Sequence, residues 1–250
     1  MIIMNEGKYG ISAAMVKRVE QYAAMHLGEA APEHGIEHAR SVREIALQIL
    51  DVEADRNMCA VIALLHDTDD YKQFPDSRGG VPNALNIMRG AGIPEQARNM
   101  IERDLKRFGY SKRLKGLVPE TPEAKTANDA DMLDIMGASG IIRLAYYDAN
   151  VGEKFFDPDE MPNPDVNFES YTSCTRESAV RHMFDKILRL PRYMLTEKGR
   201  IEALARRETC VRFLSDLFRE QRRPDWKARL DDFMIEELAI EKEDNAHAAT

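Results

Sequence analysis

Histidine and aspartate side chains recur at three separated places along this 250-residue sequence, each at the edge of an apolar segment. They are HGIEH at residues 34–38, the pair His66-Asp67 after the apolar residues 61–65, and DADMLD at residues 129–134. Imidazole and carboxylate groups together suit Mn, Fe, Co, Ni or Zn, and carboxylate with water suits Mg. Each group alone is more often an ordinary polar contact at the surface or in a core, but their order along the chain favours one metal site.

Helical periodicity is present along nearly the whole chain, and the alternation typical of strands is almost absent. Apolar residues within 36–50 follow the i, i+3, i+4, i+7 pattern of an amphipathic helix that would carry His38. If this helix includes His34, the two histidines share one face. The pattern predicts helices over 12–28, 36–50, 55–66, 84–89 with Asn83 as its cap, 94–108, 128–150 interrupted by small residues, 176–195 and 197–222. Loops are predicted over 75–82, 109–123 and 151–170, and the fold class is all-α.

The length and composition of the chain fit one domain. Hydrophobic residues make up 44% of the sequence, which is enough for a substantial core. No repeat or linker divides the chain, so we predict a single helical domain over residues 1–225, with the metal site drawn from about 34–134. A further helix and a frayed tail are predicted over residues 226–250, because the final residues 241–250 are polar.

Charge, hydropathy and cysteines narrow the functional classes. The formal net charge of -8 argues against binding of a nucleic-acid polymer, which depends on cations that neutralise phosphates. A small anionic substrate stays open, because a bound metal can dominate the local field. No stretch reaches the ~18 apolar residues of a membrane span, and residues 1–10 lack the features of a secretory signal. Cys59, Cys174 and Cys210 lie far apart in no CxxC pattern, which predicts free thiols in a reducing cytoplasm.

The motifs together resemble the signature of the HD-domain metal-dependent phosphohydrolases, and in particular their small bacterial YpgQ/YedJ-like branch. HGIEHARSV is similar to that branch's HDxxHxxRV, LLHDTDDYK to its LLHDxxDxK, and NDADMLDIMGASGIIRLAYY to its DADRLDAIGAIGIARAF. The segment SAVRHMFDKILRLPRYMLTEKGR resembles its C-terminal helical segment, so the resemblance covers most of residues 15–222. It implies an HD-domain helical bundle with additional C-terminal helices.

The resemblance also implies a set of metal ligands, which are His38, His66, Asp67 and Asp131. Asp131 is preferred because the family's last ligand lies in an A/V-D-x-L/W context, which residues 130–133 match, and Asp129 is the second choice. The implied cofactor is one divalent ion, either Mn, Mg, Co, Ni, Fe or Zn, with Mn favoured. A second ion in this fold class needs extra ligands, which are commonly histidines. The sequence has no histidine between Asp67 and Asp129, so one ion is expected.

Roles for residues around the ligands follow from the same resemblance. Asp70 falls where related enzymes keep an acid that takes a proton from the attacking water, and His34 matches the first histidine of HDxxH, which supports a ligand or contacts phosphate. Lys72 and Arg143 would balance phosphate charge, with ordinary surface cations as an equal alternative. Asp134 would hold the second nitrogen of a ligand histidine or contact a ribose, unless it is simply an acid on a helix face.

Further positions are open to two interpretations. His182 and Lys186 share a predicted helix face and match family positions, which implies peripheral substrate contacts, with a buried polar contact as the alternative. The basic stretch 103–116 is interpreted as a solvated helix end and loop, and alternatively as a flap that collects phosphates. Two residues depart from the family pattern: Gly35 replaces the aspartate of HDxxH, and Met132 replaces the arginine of DADRLD, which would remove a cation from the pocket rim.

The implied activity is that of an enzyme, a metal-dependent phosphohydrolase that cleaves a phosphoester or phosphoanhydride of a nucleotide-like small molecule with an activated water. Pyrophosphohydrolysis of nucleoside triphosphates and dephosphorylation of nucleoside monophosphates both stay open. The alternatives are a catalytically weak regulatory module that binds metal or nucleotide, and a purely structural helical protein. The expected partner is a small phosphorylated substrate, and neither a nucleic-acid polymer nor a membrane is expected as a partner. A homodimer stays open, because helical surfaces could support one but the sequence has no heptad repeat that would predict it.

Overall fold

The computed structural model describes residues 7–28, 35–173 and 178–248. These residues form α-helices and short 3-10 segments without a β-strand, so the all-α prediction is confirmed. The α-helices in chain order are α1 Ala13–Leu27, α2 Ile36–Ile49, α3 Arg56–Leu65, α4 Pro82–Ala91, α5 Glu95–Leu105, α6 Tyr110–Arg113, α7 Pro122–Asp134, α8 Gly137–Val151, α9 Phe168–Ser173, α10 Ala179–Asp185, α11 Glu197–Glu220 and α12 Pro224–Ala248. The 3-10 segments are Pro75–Ser77 and Ile187–Tyr193.

Backbone packing divides the chain into two compact units. The first consists of the described residues of Met1–Asp134 together with Leu195–Gly199, and the second of the described residues of Ile135–Met194 and Arg200–Thr250. The single domain predicted over residues 1–225 spans both units and stays a prediction. Over the described residues, no helix combines the length and the apolar character that crossing a membrane requires.

The core of the first unit is built around α3. Every residue from Met58 to Leu65 is buried, which explains why this segment is continuously apolar and not amphipathic. Helices α2 and α7 pack against α3 and against each other. Each fully buried aliphatic side chain in such a core contributes roughly 1.5–3 kcal/mol to folding. The three helices thereby fix the relative positions of the residues that they carry or that directly follow them.

Both ends of α3 are closed by side chains. Asp55 is the N-cap, and its Oδ1 accepts from the backbone N–H groups of Asn57 and Met58, each at 2.9 Å. At the other end, Thr68 Oγ1 donates to the carbonyl oxygen of Leu65 at 2.8 Å. The helix therefore ends at a defined residue, and His66 directly follows it in a fixed backbone conformation.

The start of α4 differs from the prediction. Asn83 is not its cap, because the helix already begins at Pro82, whose missing N–H suits the first helical position. Asp69 satisfies the next two donors instead: its Oδ1 accepts from Asn83 N at 2.9 Å and its Oδ2 from Ala84 N at 2.8 Å. A carboxylate from another part of the chain thus takes the place of a local cap.

The segment predicted as an interrupted helix over 128–150 is two helices, α7 and α8. The break falls at Gly137, whose φ of 72° lies in the left-handed region that favours glycine. A side chain at Gly140 would meet the backbone of Ile135, so a second glycine is required at this tight corner. The interruption by small residues is confirmed and has a steric cause.

The long helix predicted over 176–195 is wrong. Helix α10 ends at Asp185, and residues Ile187–Tyr193 continue as a 3-10 segment that contains Pro191. Proline lacks the N–H of an α-helical hydrogen bond, and its ring clashes with the preceding turn. In the regions predicted as loops, α6 and α9 add short helices, and α12 continues to Ala248 through part of the segment predicted to fray.

Candidate metal centre

Side chains from α2, α7 and the end of α3 converge in the first unit. His38, His66 and Asp67 each direct one ligand atom to a common region in which these atoms lie within 4.8 Å of one another. Asp131 Oδ1 joins them at 3.4 Å from His38 Nε2 and 3.5 Å from His66 Nε2. Asp67 Oδ2 lies 3.6 Å from His38 Nε2 and 3.4 Å from His66 Nε2. The four residues implied as ligands are thereby brought together.

The spacing and chemistry of these donor atoms fit one divalent cation. Ligand atoms held about 2.1 Å from an ion lie about 3.0 Å apart at a right angle and about 3.4 Å apart at the tetrahedral angle. The distances that involve an Nε2 atom run from 3.1 Å, between the two Nε2 atoms, to 3.6 Å, between His38 Nε2 and Asp67 Oδ2. Two imidazole nitrogens with two carboxylate oxygens suit Mn, Fe, Co, Ni or Zn.

The second nitrogen of each histidine is held by an acceptor. His66 Nδ1 donates to the carbonyl oxygen of Ala63 at 2.8 Å, and His38 Nδ1 donates to Asp134 Oδ2 at 2.8 Å. Ser41 Oγ donates to the other oxygen of Asp134 at 2.5 Å. These bonds place the proton on Nδ1 and turn both Nε2 lone pairs toward the cluster.

The electrostatics of the cluster favour a positive charge at its centre. Burial lowers the pKa of His38. Burial also lowers the pKa of His66, but the carboxylates of Asp67 and Asp131 outweigh it and hold that pKa well above its usual range. Burial raises the pKa of Asp131, but the two histidines beside it outweigh this effect and hold the pKa well below its usual range. The carboxylate therefore stays ionised beside two imidazoles.

Residues that the sequence analysis missed position the turn after His66. His26 Nε2 donates to the carbonyl oxygen of Thr68 at 2.9 Å, and the His26 ring stacks on Phe74 with centroids 4.3 Å apart. Asn83 Nδ2 donates to the same oxygen at 3.0 Å. The ring of Phe108 packs against that of His66 with centroids 5.3 Å apart. No local sequence signal marks these contacts, because each partner is distant along the chain.

Asp129, the second choice for the last ligand, is engaged elsewhere. Its carboxylate accepts from the backbone N–H groups of Leu195 and Thr196, each at 2.8 Å at the closer oxygen. Burial raises the pKa of Asp129 to about 6, although these hydrogen bonds act to lower it. The structure therefore places Asp131, and not Asp129, beside the two histidines.

Two of the three residues predicted to be catalytic, Asp70 and Lys72, lie shortly after the ligand Asp67 along the chain. Asp70 donates its backbone N–H to the carbonyl oxygen of Asp67 at 3.1 Å, and its Oδ1 accepts from the N–H of Lys72 at 3.0 Å. Asp70 is half-buried, and Lys72 is exposed. His34 lies outside the described residues. Helix α2 begins at Ile36, so the described helix does not supply the shared face predicted for HGIEH.

Three predicted substrate residues belong to the second unit. Arg143 is half-buried on α8, and His182 is half-buried on α10. Lys186 follows the end of α10 with a φ of -131°, so its predicted sharing of a helix face with His182 is wrong. Its Nζ lies 5.7 Å from the centroid of the Tyr171 ring. The substrate contacts of these three residues stay predictions.

The structure also shows the surroundings of the two positions that depart from the family pattern and of the basic stretch 103–116. Met132 is only 1% exposed, so this position belongs to the core, where an arginine would need a buried partner. Gly35 is the N-cap of α2. In the basic stretch, Arg107 pairs with Glu120 at 2.9 Å and Lys106 with Glu102 at 2.7 Å. Both pairs lie at the surface, as in the solvated interpretation of this stretch.

The chain is similar in sequence to one curated protein of Bacillus subtilis. This relative, the uncharacterized protein YpgQ, is 27% identical over 187 residues, which cover 74% of this chain and 82% of YpgQ. No protein-family profile matches the chain.

Several solved structures have the same fold. The crystal structure of a Lactobacillus plantarum protein has a TM-score of 0.69 at 25% identity and covers 87% of this chain and 99% of its own. Bacillus subtilis YpgQ in complex with ADP has a TM-score of 0.64 at 25% identity, with 82% and 94% covered. An HD-superfamily hydrolase from Bacillus thuringiensis has a TM-score of 0.63 at 22% identity, with 83% and 96% covered.

These likenesses agree with the resemblance that the motifs indicated. The sequence likeness falls on YpgQ, and the shared fold includes a protein described as an HD-superfamily hydrolase. The resemblance is therefore confirmed: the chain has the all-helical fold of the HD-superfamily hydrolases and is similar in sequence to YpgQ.

Proposed function

We propose that this protein is a metal-dependent phosphohydrolase that cleaves a phosphoester or phosphoanhydride of a nucleotide-like small molecule. The observation that carries the proposal is the pair of imidazole nitrogens 3.1 Å apart with two carboxylate oxygens, each 3.4 to 3.6 Å from both nitrogens. In this proposal His38, His66, Asp67 and Asp131 hold one divalent ion, with Mn favoured. When bound, such an ion supplies Lewis-acid chemistry, which makes water nucleophilic near neutral pH and offsets the charge of phosphate oxygens.

The protein's own residues prepare the site for this reaction. The carbonyl oxygen of Ala63 and the carboxylate of Asp134 hold the two imidazole rings with their Nε2 lone pairs turned inward. We assign Asp134 to this task in place of a ribose contact, because both of its oxygens already accept hydrogen bonds, from His38 and Ser41. Fixed rings need no reorientation when charge develops during the reaction.

Asp70 is the proposed general base. It lies three residues after the ligand Asp67 in the same turn, where its backbone is tied to the Asp67 carbonyl oxygen. A half-buried carboxylate three residues from a ligand can accept the proton of the attacking water and hold it until product leaves. His34 and Lys72 are the proposed phosphate contacts in the first unit. The resemblance also implies a phosphate contact for Arg143 and peripheral substrate contacts for His182 and Lys186.

The proposed substrate class rests on similarity. The structure of YpgQ, at 25% identity, contains ADP, and a nucleotide presents the phosphate oxygens that a cationic site attracts. Two reactions fit this chemistry. Release of pyrophosphate from a nucleoside triphosphate leaves a monophosphate, whereas release of orthophosphate from a monophosphate leaves a nucleoside.

Activity assays on a nucleotide panel test the proposal directly. Protein loaded with Mn²⁺ or Co²⁺ is expected to release pyrophosphate or orthophosphate from at least one nucleoside mono- or triphosphate, and Asp67→Ala is expected to abolish the release. Metal binding with no turnover of any panel member would favour the regulatory module instead. Absence of bound metal in the wild type, measured by elemental analysis beside His66→Ala, would leave only the structural alternative.

A further inference from the structure

Asp129 lies on α7 only two residues before the proposed ligand Asp131, and its side chain is fully buried. Two residues turn an α-helix by about 200°, so these carboxylates leave α7 on nearly opposite sides. Three residues turn it by about 300°, which brings Asp131 and Asp134 to neighbouring positions on one side. Helix α7 therefore presents one face to the metal centre and a buried carboxylate on the other.

The Asp129 carboxylate is bound by the short segment Leu195–Gly199, which belongs to the same unit. It accepts from Leu195 N at 2.8 and 3.0 Å, from Thr196 N at 2.8 Å and from Thr196 Oγ1 at 2.8 Å. Thr196 Oγ1 in turn accepts from Gly199 N at 3.0 Å, which closes the first turn of α11. The buried charge is thus satisfied by several donors from this one segment.

Gly199 shows how closely the segment approaches α7. A Cβ atom at this position would collide with Asp129 Oδ2 and would lie 2.7 Å from Thr196 Oγ1. Any larger residue must therefore displace the carboxylate or the turn that binds it. The contact leaves α7 little freedom to rotate about its axis at this point.

The same segment also binds the end of α2, the helix that carries His38. Lys198 Nζ donates to the carbonyl oxygen of Leu50 at 2.8 Å and lies 3.1 Å from Asp51 Oδ1. Leu50 is the C-cap of α2, where a cation also compensates the negative end of the helix dipole. Leu195–Gly199 thus holds two of the helices that supply the metal centre.

We propose that Asp129 is a positioning residue that fixes the rotation of α7 and so places Asp131 at the metal centre. Atoms near the ends of side chains lie about 5–6 Å from a helix axis, so a rotation of about 10° moves them by about 1 Å. Metal ligands have to hold their positions to about 0.2 Å. Loss of the Asp129 contact is therefore expected to displace the Asp131 carboxylate, although Asp129 itself is not a proposed ligand. The inference rests on the proposed function, because Asp131 has to be a ligand.

Co²⁺ binding and its visible absorption spectrum test this role, because the spectrum reports coordination geometry independently of turnover. Asp129→Ala and Gly199→Ala are expected to weaken Co²⁺ affinity at least about tenfold and to alter the spectrum. The control is Asp148→Asn, at a buried carboxylate of the second unit that accepts from Ala179 N at 3.0 Å. This control is expected to keep the wild-type affinity and spectrum even if its melting temperature falls.

Each outcome decides one question. Wild-type Co²⁺ affinity and spectrum in both Asp129→Ala and Gly199→Ala would overturn the positioning role while leaving the phosphohydrolase proposal intact. If Asp129→Ala does not fold, Gly199→Ala and the isosteric Asp129→Asn decide between the two outcomes by the same two measurements. Failure of the wild type to bind Co²⁺, Mn²⁺ or Zn²⁺ would overturn the proposed metal centre and the positioning role together.

Discussion

The Nε2 atoms of His38 and His66 lie 3.1 Å apart, although each ring already donates its Nδ1–H to another acceptor. Two lone pairs at this distance repel each other unless a proton or a cation lies between them. The carboxylates of Asp67 and Asp131 raise the pKa of His66 against the effect of burial, so they favour a positive charge at this point. The native structure is therefore built around a positive charge at this point.

A divalent metal is accordingly expected to stabilise the fold. At a free concentration of about 100 times Kd, one bound ion adds about 2.7 kcal/mol to the free energy of unfolding. Thermal unfolding with Mn²⁺ and with EDTA measures the difference. His66→Ala serves as the control, since its melting temperature should not respond to Mn²⁺. Equal melting temperatures of the wild type with metal and with chelator would contradict the expectation.

Removal of the Asp134 carboxylate is expected to weaken metal binding without removing a ligand. Asp134→Ala leaves the Nδ1–H of His38 without its acceptor, so the ring loses its fixed orientation, and we expect metal affinity to fall about 10–100-fold. Isothermal titration with Mn²⁺ measures the change. The matched variant Ser41→Ala removes only the hydrogen bond to the other oxygen and should have the smaller effect. An Asp134→Ala protein with wild-type affinity would show that His38 does not need this support.

Substitution of Asp69 is expected to lower stability, whereas substitution of the adjacent Asp70 is expected to lower activity. Asp69→Ala removes the carboxylate that caps α4 and should lower the free energy of unfolding by about 1 kcal/mol. Asp70→Ala removes only a surface hydrogen bond to Lys72 N, so stability should change by less than about 0.5 kcal/mol. Its kcat should fall about 10²–10⁴-fold if Asp70 is the general base. Denaturant unfolding and steady-state assays check the pair, and an Asp70→Ala enzyme with full kcat would assign proton transfer to another group.

Cys59 makes a pH-dependent contribution to stability. Burial raises the pKa of its thiol to about 12, against an ordinary value of 9.0 in the unfolded chain. Above pH 9 the unfolded state loses this proton while the folded state keeps it, so the contribution is complete below pH 9 and is lost as pH rises toward 12. Cys59→Ala should therefore lose less stability than the wild type between pH 8 and pH 10 in denaturant titrations. Parallel losses in the two proteins would show that Cys59 ionises equally in both states.

Alkylation gives an independent measurement of the same group. Native protein treated with iodoacetamide near pH 8 should leave Cys59 and Cys210 unmodified, because both are buried and burial raises the pKa of both thiols. Peptide mapping after alkylation in denaturant should find both modified. Rapid labelling of either residue in the native state would contradict the burial. Cys174, the third predicted thiol, lies outside the described residues.

The sequence predicted those features that depend on local pattern. Periodicity located α2 and α3 to within one or two residues, because each presents an apolar face or run that needs burial. The motifs identified the residues that converge on the cluster, and the small residues within 128–150 indicated the interruption that the structure has at Gly137. Each of these features is determined by residues close together along the chain, so a local sequence pattern is enough to predict it.

The features that were missed depend on distant partners or on local strain. Asn83 is not a cap because Asp69, 14 residues earlier, already binds its N–H. The sequence did not show that the carboxylate of Asp129, the second choice for the last ligand, is bound by Leu195, 66 residues later. The prediction of one helix over 176–195 is wrong because α10 ends before Pro191, which would destabilise an α-helix at that point. The apolar periodicity of the segment continues through Pro191 and so did not show this end. Spacing along the chain carries no information about which distant donor an acid will meet.

The contacts of Asp69 with the start of α4 have a consequence for how such a protein can diversify. Asp69 joins the base of the loop that follows the metal ligands, and Asn83 and His26 hold the carbonyl oxygen of Thr68 from two sides. Among residues 71–76, the Phe74 ring supports this base by stacking on His26, whereas the exposed Tyr71 and Asp76 take no part in these hydrogen bonds. Substitutions at Tyr71 and Asp76 can therefore change the loop surface while the ion-binding atoms keep their places, so these two positions suit the engineering of a new substrate preference.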